Sequence, residues 1–331
     1  MIGPEITAVL VAWNSGDSLT SAVDSLRRSA DEAGVALSLV VVDNDSRDGS
    51  FERLTLRDGD RVVRNPVNAG FGVAAAQGSA LATAPWILLV NPDVVVDLCF
   101  VGEIARAARG APPQVATIVP ELRFASVPHL INCRGVTMDA AGLPAEVDAG
   151  LPDDEPSHAS TALGGSSGCC LVRREALVAV GGIELCFFAY LEDVDLAVRL
   201  QRAGYGMHLA PRAIAWHEGS ASTVEGSPLK TYLVARNRRI LFRLDAPGTL
   251  RARLWRTVVE AGHGLVSTRN GGGSPWQGRL AALRQRRYTR FLRRSRRLLD
   301  PPARAIALAP CTTLRGTLAR KRALQQALRR H

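Results

Sequence analysis

Apolar residues follow two alternating rhythms along the first 120 positions. Short runs of β-branched and aliphatic side chains occupy residues 6–13, 37–43, 61–64, 86–91 and 115–120. Apolar runs of this length with almost no polar face predict strands covered on both sides. Between them, apolar positions recur at helical spacing over residues 17–33, 48–56, 70–83 and 98–109, which predicts helices. Strand–helix alternation with short connections describes an α/β domain around a mostly parallel sheet. In such sheets a ligand sits beyond the carboxyl ends of the strands. That rule directs attention to Asn14-Ser15, Asp43-Asn44-Asp45, Asn65-Pro66 and Asn91-Pro92-Asp93.

The pattern then changes. Residues 121–160 are rich in Pro, Gly and Asp and predict irregular structure. A Gly/Ser/Cys stretch over 163–172 leads to a predicted helix at 174–180, a Gly181-Gly182 turn and a helix at 192–203. Strands at 205–210 and 213–217 and a helix at 229–244 follow. After Pro247-Gly248, residues 249–267, 276–299 and 303–330 read as helical, the first two amphipathic. This divides the chain into a body, 1–248, whose two halves meet at about residue 120, and a C-terminal region, 249–331.

Charge sharpens that division. The 331 residues are 47% apolar and 22% charged, which excludes disordered and fibrous classes. The net charge of +10 splits unevenly: residues 1–250 hold 21 basic and 29 acidic side chains, a net of −8, and residues 251–331 hold 20 basic against Glu260 and Asp300, a net of +18. An acidic body with a basic tail points to a polyanionic surface among its partners. The six cysteines, at 99, 133, 169, 170, 186 and 311, have no Cys-x-x-Cys or metal-ligand spacing, which suits a reducing, cytoplasmic setting. No signal-peptide pattern and no 18-residue apolar run occurs.

Several polar clusters fall at strand ends. Asp43 could accept hydrogen bonds from a base or ribose, with Asp45, Ser46 and Asp48 beside it, although such runs also serve as turn formers and helix caps. Asn68-Ala69-Gly70-Phe71-Gly72 opens a helix whose N–H groups could face an anion; tight packing of the helix start explains the glycines equally well. Pro92 ends the ladder after an apolar strand and sets Asp93 where a carboxylate could hold a hard cation against a diphosphate; a helix-capping role for Asp93 or Asp97 is the plain alternative. Glu192, Asp193 and Asp195 crowd one helix start, where the helix dipole offsets only part of their repulsion. His217 ends a strand 22 residues after Asp195 and could bind metal or phosphate.

As an ordered set, these residues resemble the family 2 inverting glycosyltransferases of the GT-A fold over roughly residues 5–245. The components are Val9-Leu10-Val11-Ala12-Trp13-Asn14-Ser15, the Asp43–Ser50 run, the Asn68-x-Gly70-Phe71-Gly72 helix start, and Asn91-Pro92-Asp93 in place of the family's Asp-x-Asp. Gly164-Gly165-Ser166-Ser167-Gly168, the Arg173-Arg174 segment, Glu192-Asp193-Val194-Asp195-Leu196, His217 and Arg236-Asn237 complete it. The resemblance implies a GT-A (Rossmann-like), mostly parallel sheet flanked by helices, with Asp43 on the nucleobase and Ala12, Trp13 and Asn14 framing the nucleotide pocket. Asp45, Asn68, Gly70, Gly72, Asn91 and Asp93 would complete the donor site. Asp93 and His217 would hold Mn²⁺ or Mg²⁺, and Asp193 would be the general base. Glu192, Asp195, Gly165 and Arg236 would orient the acceptor or support the residues around it. Asn91 replaces the first carboxylate of the motif and removes one anionic ligand. The Asn-Pro-Asp and Glu-Asp-Val-Asp-Leu variants look most like the branch using dTDP-L-rhamnose, with UDP-hexoses the alternative donors.

Residues 276–299 interleave Trp276, Leu280, Leu283, Phe291 and Leu292 with arginines. Such a segment could lie on an anionic membrane, which suits a transferase whose acceptor is a glycan on a polyprenyl diphosphate and places it peripherally on the inner face of the plasma membrane. Alternatively its apolar stripe packs on the body or on a second copy of the chain. Two other classes compete. A nucleic-acid-binding protein would use the tail on phosphates, but the tail has no recognisable reader of RNA or DNA. A nucleotidyltransferase would want an N-terminal Gly-rich signature that Val9–Ser15 lacks.

Overall fold

The computed structural model describes residues 5–139, 142–218, 227–244, 250–251, 254–258 and 275–299. The strands are β1 (Ile6–Ala12), β2 (Leu37–Asp43), β3 (Arg61–Arg64), β4 (Trp86–Val90), β5 (Val94–Val96), β6 (Val115–Phe124), β7 (Ile131–Cys133), β8 (Val136–Met138), β9 (Pro144–Glu146), β10 (Cys169–Arg173) and β11 (Gly206–His217). The helices are α1 (Ser18–Ala33), α2 (Phe71–Leu81), α3 (Phe100–Gly110), α4 (Arg174–Ala179), α5 (Glu192–Arg202), α6 (Pro228–Leu244), α7 (Pro275–Arg284) and α8 (Arg286–Leu299).

One mixed sheet runs β3-β2-β1-β4-β10-β6-β11-β5, with β7 on β6; β8 and β9 form a separate pair. The first four strands are mutually parallel, β10 is antiparallel to both its neighbours, and β6–β11 is parallel again. Strand pleating sends alternate side chains to opposite faces. Ala8, Leu10 and Ala12 therefore join α1 and α3 in one core layer, while Val9 and Val11 join α2, α4 and α5 in the other. The adjacent cysteines follow the same rule: Cys169 enters the first layer and Cys170 the second. Their burial pushes both thiols up, Cys169 to about 12, so they are packing residues. The five described cysteines form no disulfide.

Helix α2 lies close to the sheet because it is built from small residues. A Cβ on Gly78 would stand 2.4 Å from Val9 Cγ1. A third cluster joins Val136 and Met138 of β8, Val194, Ala197 and Val198 of α5, Ile240 and Leu241 of α6, and Ala282 of α7.

The structure departs from the sequence expectation in several places. Residues 48–56 form turns, not a helix. Gly49 is at φ +73°, and the Asp48 carboxylate accepts the Ser50 N–H and hydroxyl and the Gly16 N–H; local side-chain bonds of this kind compete with helical ones. The two strands expected at 205–217 are one, interrupted by a register shift between Ala210 and Ile214. The segment 121–160 contains β7, β8 and β9, and the Gly/Ser/Cys stretch ends in β10; strands of three to five residues are too short to show a period. The helix expected over 276–299 is broken at Gln285, and 250–251 and 254–258 are helical. The helix expected at 303–330 lies outside the described residues.

Helices α7 and α8 pack on α6, so the basic region is joined to the body. Gly278 makes the contact: a Cβ there would stand 2.2 Å from the Tyr232 carbonyl oxygen and 3.1 Å from the Arg236 nitrogen. Arg243 also donates to the Ala282 carbonyl, at 2.6 Å. In an exposed helix Gly→Ala is stabilising by about 1 kcal/mol; here the sign should reverse. Gly278→Ala is expected to weaken docking by about 1–3 kcal/mol and to expose 275–299 to limited proteolysis. Unchanged protection would show that the close approach does not govern docking.

Candidate active site

Parallel register brings the nucleotide-side residues to one edge. Ala12 pairs with Asp43 and Asp43 with Arg64, so three strands end level. Asp43 is 2% exposed; one oxygen accepts the Ser46 N–H at 2.9 Å and the other meets Arg64 Nε at 3.2 Å. A carboxylate has about four acceptor positions, so Asp43 keeps capacity for a base or ribose. Ala12 is buried and Trp13 half-buried beside it. Asn14, at φ +48°, donates from its N–H to Ser46 Oγ and accepts the Arg47 N–H on Oδ1. Asp45, at φ +69°, pairs with the exposed Arg47 at 3.3 Å.

Asn68 reaches the same edge through a network of amides. Asn44 donates to Asn68 Oδ1 at 2.9 Å and accepts from Asn65 Nδ2 and the Ala69 N–H, while Asn65 and Gln77 exchange two bonds. Asn65 was noted only as a strand-end residue, and nothing in the sequence marks Gln77 as its partner. The glycines need correction. The Gly70 N–H goes to Asn68 Oδ1 and the Gly72 N–H to the Phe188 carbonyl, so neither is available to an anion. What requires glycine at residue 70 is φ +89° and the Phe188 ring, which would lie 2.5 Å from a Cβ.

Asp93 and His217 meet across the β5–β11 pairing. Asp93 is buried, its Oδ1 lies 3.2 Å from His217 Nε2, and the His217 Nδ1 faces Asn132 Oδ1 at 3.3 Å. Were Nδ1 to donate to Asn132, the Nε2 lone pair would face the carboxylate. Two electron-pair donors so placed fit a shared cation. Among the described residues no group of three or more His, Cys, Asp or Glu could hold a metal ion, so water and donor oxygens would supply the other ligands. Asp97 does not cap α3, whose N-cap is Cys99; its carboxylate closes a local turn by accepting the Cys99 N–H at 2.9 Å. Asn132 lies in the stretch read as irregular and gave no signal.

The three acids of α5 have three environments. Glu192 is 4% exposed, and burial, reinforced by the Asp193 charge, pushes it up to about 8. Asp193 is half-buried and accepts the Val194 N–H at 2.8 Å and the Ser167 N–H at 3.3 Å. Burial raises its pKa and those hydrogen bonds oppose the rise. Asp195 is fully buried, yet Arg199 and Arg296, both at 2.8 Å, outweigh that burial and hold it below the ordinary carboxylate value.

One short loop links the donor edge to this helix. The Gly168 carbonyl accepts the Asn91 N–H at 2.8 Å, and the Ser167 N–H reaches Asp193. Gly165 is buried and packs on β10: a Cβ there would lie 2.4 Å from the Cys170 Cβ. Arg236 likewise binds protein, donating to the Cys186 and Phe187 carbonyls. Asn237 is fully buried, and its amide nitrogen lies 2.6–2.8 Å from the Phe187, Ala189 and Tyr190 carbonyls.

Comparison with known proteins bears on the family and the fold. The model of the family described as Glycosyltransferase like family 2 matches residues 4–240. The N-acetylglucosaminyl-diphospho-decaprenol L-rhamnosyltransferase of Mycobacterium tuberculosis (strain H37Rv) is 27% identical over 243 residues, covering 66% of this chain and 77% of that protein. Among solved structures, GalNAc-T7 with UDP, GalNAc and Mn²⁺ superposes with a TM-score of 0.55 at 15% identity, over 73% of this chain and 48% of that one. This chain thus spans about half of that protein's length. The mannosyltransferase PcManGT from Pyrobaculum calidifontis, in complex with GDP-Man and Mn²⁺, gives 0.51 at 16% identity, over 90% and 86%. The chain therefore belongs to the family 2 glycosyltransferases and has their GT-A fold.

Proposed function

We propose that this glycosyltransferase moves L-rhamnose from dTDP-L-rhamnose to a glycan carried on a polyprenyl diphosphate, inverting the anomeric centre in a single displacement. The observation that carries the mechanism is the 166–168 loop, bonded at one end to the Asn91-Pro92-Asp93 turn and at the other to Asp193. It sets a candidate base beside a candidate diphosphate site. The rhamnosyl donor and the lipid-linked acceptor are supported by the mycobacterial relative's name. The Asn-Pro-Asp turn adds a resemblance.

Asp43 and the amides around Asn44 and Asn68 would bind the nucleoside. Asp93 and His217 would hold a divalent cation, which when bound neutralises charge on the diphosphate. Asp193 takes the proton of the acceptor hydroxyl as that oxygen bonds the anomeric carbon. The bond from carbon to diphosphate breaks on the opposite face. The two N–H groups on Asp193 orient it, and its burial strengthens it as a base. Burial pushes Glu192 toward its neutral form, and Asp195 is engaged by two arginines.

Asp193→Asn is expected to lower turnover by about 10²–10⁴-fold while calorimetry finds nucleotide affinity unchanged. Near wild-type turnover would remove the base assignment. Because burial raises the Asp193 pKa above its ordinary 3.8, and the base works deprotonated, wild-type kcat/KM should begin to fall at a higher pH on the acid side than an exposed aspartate would allow.

Asp93→Ala should abolish the Mn²⁺ dependence of donor binding. Isothermal titration of dTDP-L-rhamnose, and of UDP-hexoses beside it, with and without Mn²⁺ checks this; a wild-type affinity indifferent to Mn²⁺ would count against the metal pair.

The outer face of α7 and α8 exposes Trp276, Leu280, Leu283 and Phe291 together with Arg284, Arg287, Arg290 and Arg294. No helix among the described residues is long and apolar enough to cross a membrane. This face suits an anionic bilayer surface, where each basic residue contributes about 1 kcal/mol. The chain should float with phosphatidylglycerol vesicles and not with neutral ones, and release as salt rises; an active chain that stays at the bottom in both would exclude the surface.

A further inference from the structure

The C-terminal helices reach past α6 into the acceptor side of the site. Arg296 of α8 lies 2.8 and 3.2 Å from the two oxygens of Asp195 and 3.2 Å from Glu184 Oε2. Its side chain is only 14% exposed. The Tyr288 hydroxyl of the same helix donates to the other Glu184 oxygen at 3.3 Å, and that oxygen also accepts the Cys186 N–H. Glu184 heads the segment 184–191, which ends at Leu191, the residue before α5.

That segment is not relaxed. Phe188, Tyr190 and Leu191 sit at φ +65°, +71° and +69°, a region that bulky side chains populate only when their surroundings over-determine it. Restraints come from three helices. The Gly72 N–H of α2 binds the Phe188 carbonyl, Arg236 and Asn237 of α6 hold the carbonyls of residues 186, 187, 189 and 190, and α8 holds Glu184. Arg296 is the only one of these side chains that also grips α5 itself, two residues after Asp193. Charge balance alone does not call for it, because Asp195 already has Arg199 one turn away on its own helix. What Arg296 adds is the tie between Asp195 and Glu184.

We propose that Arg296 is a positioning residue for sugar transfer: through Glu184 and Asp195 it fixes the 184–191 segment and the Asp193 helix start together. The arginine-rich C-terminal region is then a working part of the acceptor side of the site. The inference rests on Asp193 being the base.

The test uses the full chain, dTDP-L-rhamnose and a GlcNAc-diphospho-polyprenol. Arg296→Met should lower kcat/KM for transfer by about 10–100-fold, the scale of a small misplacement of reacting groups, with dTDP affinity within about 2-fold of wild type. Arg296→Lys, which keeps a cation but not the fork, should recover part of the loss. Glu184→Gln removes the Arg296 ion pair from the other end, retains an oxygen for the Cys186 N–H, and should reproduce the defect. Wild-type kinetics in Arg296→Met would overturn the proposal. So would joint loss of dTDP binding and transfer, which marks a merely structural role. Should Arg296→Met fail to fold, wild-type kinetics in Glu184→Gln overturn it and a selective transfer defect there sustains it. Asp193→Asn, assayed in parallel, keeps the readings apart: its full activity would remove the base, whereas Arg296→Met at wild-type kinetics removes only the positioning role.

Discussion

Level, in-register pairing of β3, β2, β1 and β4 is the constraint on which the rest of the molecule depends. Because the four strands are parallel, their carboxyl ends share one edge, and polar groups distant in sequence become neighbours there. Ala12, Asp43 and Arg64 align through two ladders; one residue beyond, the Asn44 and Asn65 amides bond to each other. Strand β10 then enters antiparallel beside β4, which returns the 164–168 loop to that same edge and carries it to Asp193. A slip of one residue in β1 would exchange its two core layers and dissolve the edge as well.

Carboxylates of similar sequence context acquire different chemistry from their surroundings. Glu192, Asp193 and Asp195 are separated by at most three positions, yet one is pushed toward its neutral form by burial, one is raised and held by two N–H groups, and one is engaged by two guanidinium groups. The crowding that makes the run look costly is relieved in two ways, by raised proton affinity and by paired arginines. The same logic separates Asp93, facing an imidazole nitrogen, from Asp97, which closes a local turn.

The basic C-terminal region has two faces with two tasks. Inward, Gly278, Ala282, Thr289 and Arg296 are buried or nearly so, against α6 and against the Asp195–Glu184 pair. Outward, aromatic and aliphatic side chains stay exposed among arginines. Sequence reasoning treated membrane attachment and packing on the body as alternatives; the helices pack on the body and still leave a basic, apolar surface free for the role proposed.

What the sequence determined by itself was whatever a local pattern encodes. Buried strands such as residues 86–90 appear as apolar runs, amphipathic helices as a 3.6-residue period, and the ordered strand-end set of Asp43, Asp93, Asp193 and His217 as a family resemblance, which the family model bears out at the level of fold and enzyme class. Short strands carried too few residues for a period, and residues 48–56 look helical until the Asp48 carboxylate captures the Ser50 N–H and hydroxyl. Only the tertiary structure decided that Gly165 and Gly70 are packing glycines, that Asn132 stands behind His217, and that Arg296 serves Asp195 from 101 positions away. Composition and spacing report which groups a segment can offer, whereas a contact between distant groups depends on the register of strands and the close approach of helices, and those are fixed only when the whole chain packs.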